Sequence, residues 1–538
     1  MARRKTPINE AISFRPRRSP APKSSGGSGG AGSPGEEPAG GEQEGLRDLR
    51  AETRRACGGA ALINTPTHRL LGARERGGLT PSRASRACLG ARLLPSGPGE
   101  TLDVHQARGY VAKFVGSGNL FLVGFQDRRV RVYDTGGANA ARARWRPVKE
   151  IFARQLCWTI TDTAVSSDDR TLAYSTISPV VRLVNLQAGG GLQSVQNVTD
   201  IHEAVDLSAA PGGGARGGPD PDLGEGGERF GVWSICLSRD GTRLMAGTSA
   251  CSVVAYDLQA GRPAFSLEGA HDDDVNAVAF LDGSGQVVVS GSDDSTIKLW
   301  DTREETRASG VLYGHTEGVT CVAPRGDGRY LVSNGKDQKA KLWDVRRMGG
   351  DGQIGASGVV VPQRYRVSRK SFDYRWQRYP YKPEKVCHPH DSSVMTFMGH
   401  QVLHTLIRVN WSPLETTGQR FIYTGSACGS LIVYDILSGE VETVMQKHGS
   451  VVRDCDWHPT EPVIASAGWD GRVVRWARFR EEGGEGAREP WGDAATYASS
   501  SGDELHFDPM LDSGSEWTDE AEDEDYSSPD SEDSTGSG

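Results

Sequence analysis

The chain has 538 residues, 69 of them glycine and 27 proline, with 36% hydrophobic residues and a formal net charge of −9. That length supports a large core, and the glycine and proline content suits a loop-rich β protein. No stretch is apolar enough to span a bilayer, no secretory hydrophobic run follows the start, and the nine cysteines show no paired spacing, so a membrane helix and a disulfide scaffold are excluded and reduced thiols in nucleus and/or cytoplasm are expected.

The chain opens with Arg3, Arg4, Lys5, Arg15, Arg17, Arg18 and Lys23 against a single acid, Glu10. Three readings fit this basic start: an organelle transit peptide, a nuclear-import cluster, or a flexible arm. From Ser24 to Glu44 there is almost no large apolar side chain, so burial does not offset chain entropy and residues 1–55 are expected to be disordered. Residues 56–104 read as a segment preceding the main domain, with a short helix expected near Thr67–Arg74.

From about residue 105 the sequence repeats. Ser295–Arg303 and Gln338–Arg346 each place Trp-Asp after an alternating apolar run and an arginine two residues beyond it, and a period of about 40 residues with such an ending marks propeller blades. Three repeats share one spacing. His271, His315 and His448 open them, Ser290, Ser333 and Ser466 lie ten residues before Trp300, Trp343 and Trp476, and Asp294, Asp337 and Asp470 lie six before. A buried indole N–H needs an acceptor and a buried Asp or His needs a partner, so a Trp–Ser–His–Asp chain satisfies all four groups. A nucleophilic triad is built once, not in successive repeats, so these sets are structural. Degenerate endings at Gln126–Asp134, Val180–Leu186, Ser252–Asp257 and Leu431–Asp435 bring the count to seven. The fold expected is all-β, a seven-bladed WD-repeat β-propeller over 105–480 with disordered N- and C-terminal tails; seven blades close a ring and remove open sheet edges.

An insertion at 347–399, placed between blades five and six, interleaves Arg364, Arg366, Arg369, Lys370, Arg375, Arg378, Lys382 and Lys385 with Tyr365, Phe372, Tyr374, Trp376, Tyr379 and Tyr381. Such a segment binds nucleic acid by charge and stacking in a chromatin- or RNA-associated scaffold, or packs its rings on the propeller and leaves its cations in water. The packed insertion is the reading adopted, and no nucleic acid is expected. Cys387-His-Pro-His390 crowds three potential ligands but lacks a second half, so no metal is expected. No phosphate loop, His-Glu-x-x-His helix or Gly-x-Ser-x-Gly elbow occurs, so neither an enzyme nor a cofactor is expected. Residues 481–538 read as a disordered tail whose last 23 residues hold ten acids and no Lys or Arg; without those acids the net charge becomes +1.

The runs Phe372–Trp376, Gly399–Arg408 and Thr417–Gly425, with Ala73–Gly77 ahead of the propeller, resemble the family of WD repeat protein 23, the cullin-4-associated factor eleven. Trp158–Thr163, Asn197–Glu203 and Ser333–Asp337 are similar to that family's plant LEC-type branch. The resemblance implies a non-catalytic substrate receptor of a cullin-4 RING ubiquitin ligase, with an unknown protein substrate. It also implies docking of the damaged-DNA-binding adaptor through the Trp-Asp-x-Arg boxes, here Trp300, Asp301, Arg303 and Trp343, Asp344, Arg346. The first blade departs from the box, with Gly136 at the arginine position.

Overall fold

The computed structural model describes residues 40–59, 69–70, 83–154, 158–186, 202–208, 230–304, 307–349 and 372–478. Within them lie seven four-stranded antiparallel sheets. Blades one to six span 109–152, 160–206, 232–267, 275–312, 319–398 and 409–446, and blade seven takes three strands from 452–477. The chain is a seven-bladed WD-repeat β-propeller. Contacts between neighbouring sheets are dominated by their first strands, which therefore line the axis, with the fourth strand outermost.

Second strands such as Val287–Ser292, Tyr330–Gly335 and Val463–Gly468 are buried along almost their whole length. A blade clamped between two others has no wet face, so these strands read as β-branched and aromatic runs rather than as alternation. The core accordingly sits between blades. Trp300 packs on Met245 and Val253 of blade three, Trp343 on Val289 and Leu299 of blade four, and Trp476 on Phe421 and Tyr423 of blade six.

Three expectations are corrected. The propeller begins before residue 105, because Glu100–Val104 pairs antiparallel with Arg472–Ala477 as the fourth strand of blade seven; the ring is closed by its N-terminal strand. The insertion lies inside blade five, not between blades five and six, because Met395–Met398 pairs with Lys339–Asp344 as that blade's outermost strand. Finally, the stretch expected to be disordered up to residue 55 ends in a helix, α1 (Gly40–Ala56). Leu46, Leu49, Thr53 and Cys57 recur at helical spacing and outweigh the polar composition around them; Leu49 and Thr53 are fully buried. Residues 1–39, 350–371 and 479–538 lie outside the described residues, as does most of Thr67–Arg74, of which Arg69 and Leu70 are described, both helical.

The segment ahead of the ring forms a strap across blades five to seven. Leu49 enters the core shared by Tyr330, Val394 and Ile432, and the Cys57 thiol donates to the Thr417 carbonyl at 3.3 Å. Helix α2 (Arg83–Gly90) meets the short helix α3 (Leu414–Thr417) so closely that a Cβ on Gly90 would stand 1.8 Å from the Thr416 oxygen. Ala91 and Leu94 then pack with Trp457 and Trp476.

Candidate functional site

Each of the three regular repeats joins its four polar side chains. In blade five, Trp343 Nε1–H donates to Ser333 Oγ at 2.8 Å, Ser333 Oγ lies 2.7 Å from His315 Nε2, and His315 Nδ1 lies 3.1 Å from both Asp337 carboxylate oxygens. In blade four, His271 lies 2.7 Å from Asp294 and from Ser290, which Trp300 reaches at 2.8 Å. Blade seven repeats this with His448, Asp470, Ser466 and Trp476 at 2.8–2.9 Å. Since Nδ1–H donates to the carboxylate, Nε2 accepts from the serine hydroxyl, whose oxygen in turn accepts the indole N–H. Burial alone would raise the Asp294, Asp337 and Asp470 carboxyls, but their histidine partners hold all three below the usual range. The serines are sealed from solvent, so no substrate reaches them. Gly335 and Gly468 make room for the rings, since a Cβ there would lie 2.5 and 2.4 Å from His315 and His448 Nδ1.

The third strand carries the chain from this network to the opposite face, where both Trp-Asp-x-Arg boxes end in the same turn. Asp301 accepts the Arg303 backbone N–H at 3.0 Å and its Nε and Nη2 at 2.9 and 2.5 Å. Asp344 does the same for Arg346, at 3.1 Å to N, 3.1 Å to Nε and 2.7 Å to Nη2. Each aspartate thus fixes a guanidinium whose side chain stays 71% exposed in Arg303 and 56% in Arg346. The Nε edge of each fork is occupied by its own aspartate, so an incoming carboxylate meets the Nη end rather than the free two-pronged edge.

The two boxes differ in what covers them. Hydrogen bonds from Arg303 bring the half-buried Asp301 carboxyl down to about 2. Asp344 is 1% exposed, and there burial outweighs Arg329 and raises the carboxyl. The cover is α1, a component the repeat pattern does not signal. Its Asp48 pairs with Arg329 at 2.8 Å and approaches Arg346 at 3.5 Å, and its Glu52 pairs with Arg325 at 3.0 Å and Arg329 at 3.4 Å. The arginine face of blade five is therefore a composite of blade and helix.

Residues 372–385 of the insertion lie on the other face, and the chain then runs back along blade five, where the Ser393 carbonyl accepts from Arg347 at 3.2 Å. His404 N donates to the Tyr374 carbonyl at 3.0 Å, Lys336 sits 4.0 Å over the Tyr374 ring, and Tyr379 packs edge-on against Phe372. Phe372, Tyr374 and Tyr379 are half-buried, while Arg375, Trp376, Arg378, Tyr381, Lys382 and Lys385 are exposed. His388 is buried and stacked on Tyr313, whereas Cys387 and His390 face solvent. Among the described residues no three His, Cys, Asp or Glu side chains are grouped to hold a metal ion, and no helix is long and apolar enough to cross a membrane.

Comparison with known proteins matches the WD domain, G-beta repeat, at residues 261–301, 307–344 and 439–476. Each match ends on the third strand of a blade, so the sequence repeat is offset by one strand from the structural unit. The chain is 39% identical to the LEC14B protein of Lithospermum erythrorhizon, across 72% of this chain and 76% of that relative. It is 33% identical to the DDB1- and CUL4-associated factor 11 homolog of Caenorhabditis elegans, across 71% and 63% of the two chains. Its identity to the homolog of the same name from Caenorhabditis briggsae is 32%, across 84% and 78%.

Proposed function

From a chain that belongs to the WD-repeat family of the LEC14B proteins and the DDB1- and CUL4-associated factor 11 homologs, we propose a non-catalytic substrate receptor of a cullin-4 RING ubiquitin ligase. It acts in the nucleus or cytoplasm, holding the damaged-DNA-binding adaptor with the arginine face and presenting a target protein on another surface. One observation carries this reading: two exposed guanidiniums on adjacent blades, Arg303 and Arg346, each locked into the same turn by its own aspartate. Held forks lose little side-chain entropy on binding, and arginine anchors are frequent hot spots at interfaces. The buried Ser–His–Asp sets leave no accessible nucleophile in the regular repeats, which supports the noncatalytic role. Affinity purification of the full chain with identification of bound proteins tests the assignment. The adaptor, cullin-4 and its RING subunit should co-purify in comparable amounts; their absence under conditions that recover other receptors overturns it.

A further inference from the structure

Between the two Trp-Asp-x-Arg boxes stands an exposed apolar side chain. Met348, two residues beyond Arg346, keeps 41% of its surface in solvent, and among the described residues it is the only exposed large apolar side chain within two residues of a box. Its place is fixed by the backbone on either side. The Met348 N–H donates to the Val345 carbonyl at 3.2 Å, and Gly349 exchanges two hydrogen bonds of 2.8 Å with Val311, in the outer strand of blade four, Gly310–Leu312. The thioether therefore lies over Gly310, where a Cβ would collide with the sulfur. Gly310 pairs opposite Leu299, two residues before Asp301, and Leu299 shares its core with Trp343 of blade five. Met348 thus closes the seam between the blades that carry Arg303 and Arg346. Arg347 turns away from it, to the Ser393 carbonyl.

A single exposed apolar residue is ordinary at a protein surface; the two guanidiniums beside this one give it a use. Exposed guanidiniums gain little from a carboxylate while water and salt screen them. They become anchors when an apolar contact between them excludes water, and interface cores are accordingly enriched in methionine and arginine. Methionine adds a flexible, polarisable chain that adapts to a hollow in another protein. Arg303 and Arg346 are already held by Asp301 and Asp344, so the three side chains form a largely preorganised set.

The geometry points to a three-point anchor, in which Met348 enters an apolar hollow on the adaptor while Arg303 and Arg346 each meet a carboxylate at its rim. The inference rests on the docking proposed above and adds the chemistry of the partner's surface, an apolar hollow flanked by two acidic side chains.

The test is the affinity of purified adaptor for the full chain and its variants at low and high salt, with circular dichroism to establish folding. Met348→Glu should weaken binding by about tenfold or more, because it sets a charge in the hollow and opposite the partner's carboxylates. Met348→Leu, of similar volume, should stay within about threefold of wild type. Met348→Ala should make the remaining affinity more sensitive to salt, since charge contacts then carry a larger share of it. If Met348→Glu does not fold, unchanged affinity and salt response in Met348→Ala overturn the inference instead. Wild-type affinity in folded Met348→Glu, beside lost binding in Arg303→Ala/Arg346→Ala, overturns the apolar anchor and leaves docking through the arginines standing. Undiminished binding in both overturns docking on this face and the inference with it.

Discussion

Asp337 illustrates what one side chain does in this ring. It is fully buried and accepts from His315 Nδ1–H and the Thr316 N–H, so Asp337→Ala leaves two donors without acceptors, at roughly 1–3 kcal/mol each. Asp127 stands at the equivalent place in blade one but pairs with Arg131 at 2.6 Å, while Tyr133 turns to His105. That pair is partly solvated, and Asp127→Ala should cost less than about 1 kcal/mol. Urea unfolding of the two variants checks the contrast, and equal losses would contradict the network's role. Acid should act through a second class of residue. His400 bridges Tyr434 Oη at 2.9 Å and Asn334 Oδ1 at 2.7 Å, and burial holds it down to about 4. The unfolded chain binds that proton below about pH 6.5 and the folded chain does not, so stability falls as pH drops from about 6.5 towards 4. His400→Gln should flatten the unfolding profile over that window, which denaturation at a series of pH values measures.

At the scale of elements, the N-terminal strap is where polar composition hid structure. Leu46, Leu49, Thr53 and Cys57 mark a helical stripe, yet the charged residues around them and the glycine-rich stretch before them led to an expectation of disorder. Only the docking groove between blades five and six makes the helix worthwhile, and that groove is a tertiary fact. Leu49→Ala should cost about 2–5 kcal/mol by leaving a cavity and raise amide exchange in α1 and in Tyr330–Gly335. Exchange unchanged in both would place α1 outside the folded unit. Deleting residues 1–106 removes Glu100–Val104 as well and exposes the edge of Arg472–Ala477. Unpaired edges template association, so this truncation should aggregate while one ending before residue 40 stays monomeric, as light scattering reports.

For the whole molecule, fold and blade count were legible because three blades carry full punctuation, with Trp300, Trp343 and Trp476 fixing the third strands and the Asp–His spacing the turns before them, and the other four keep a degenerate ending at the same period. The position of the insertion was not, because Met395–Met398 bears no repeat signature and becomes a blade-five strand only by pairing with Lys339–Asp344. The boxes ending in Arg303 and Arg346 stand out in the sequence, whereas the helix over Asp344 depends on contacts between residues hundreds of positions apart. The proposed docking of the ligase adaptor on the arginine face is open to test by binding. Its most direct measurement is the affinity of purified adaptor for the wild-type chain and for Arg303→Ala/Arg346→Ala, with circular dichroism to establish that both are folded. Each truncation should cost about 2 kcal/mol or more, the double variant should lose detectable binding, and lysine at either position should rescue poorly because an ammonium does not reproduce the planar fork held by Asp301 or Asp344. Equal affinity of the folded double variant and wild type would contradict the account.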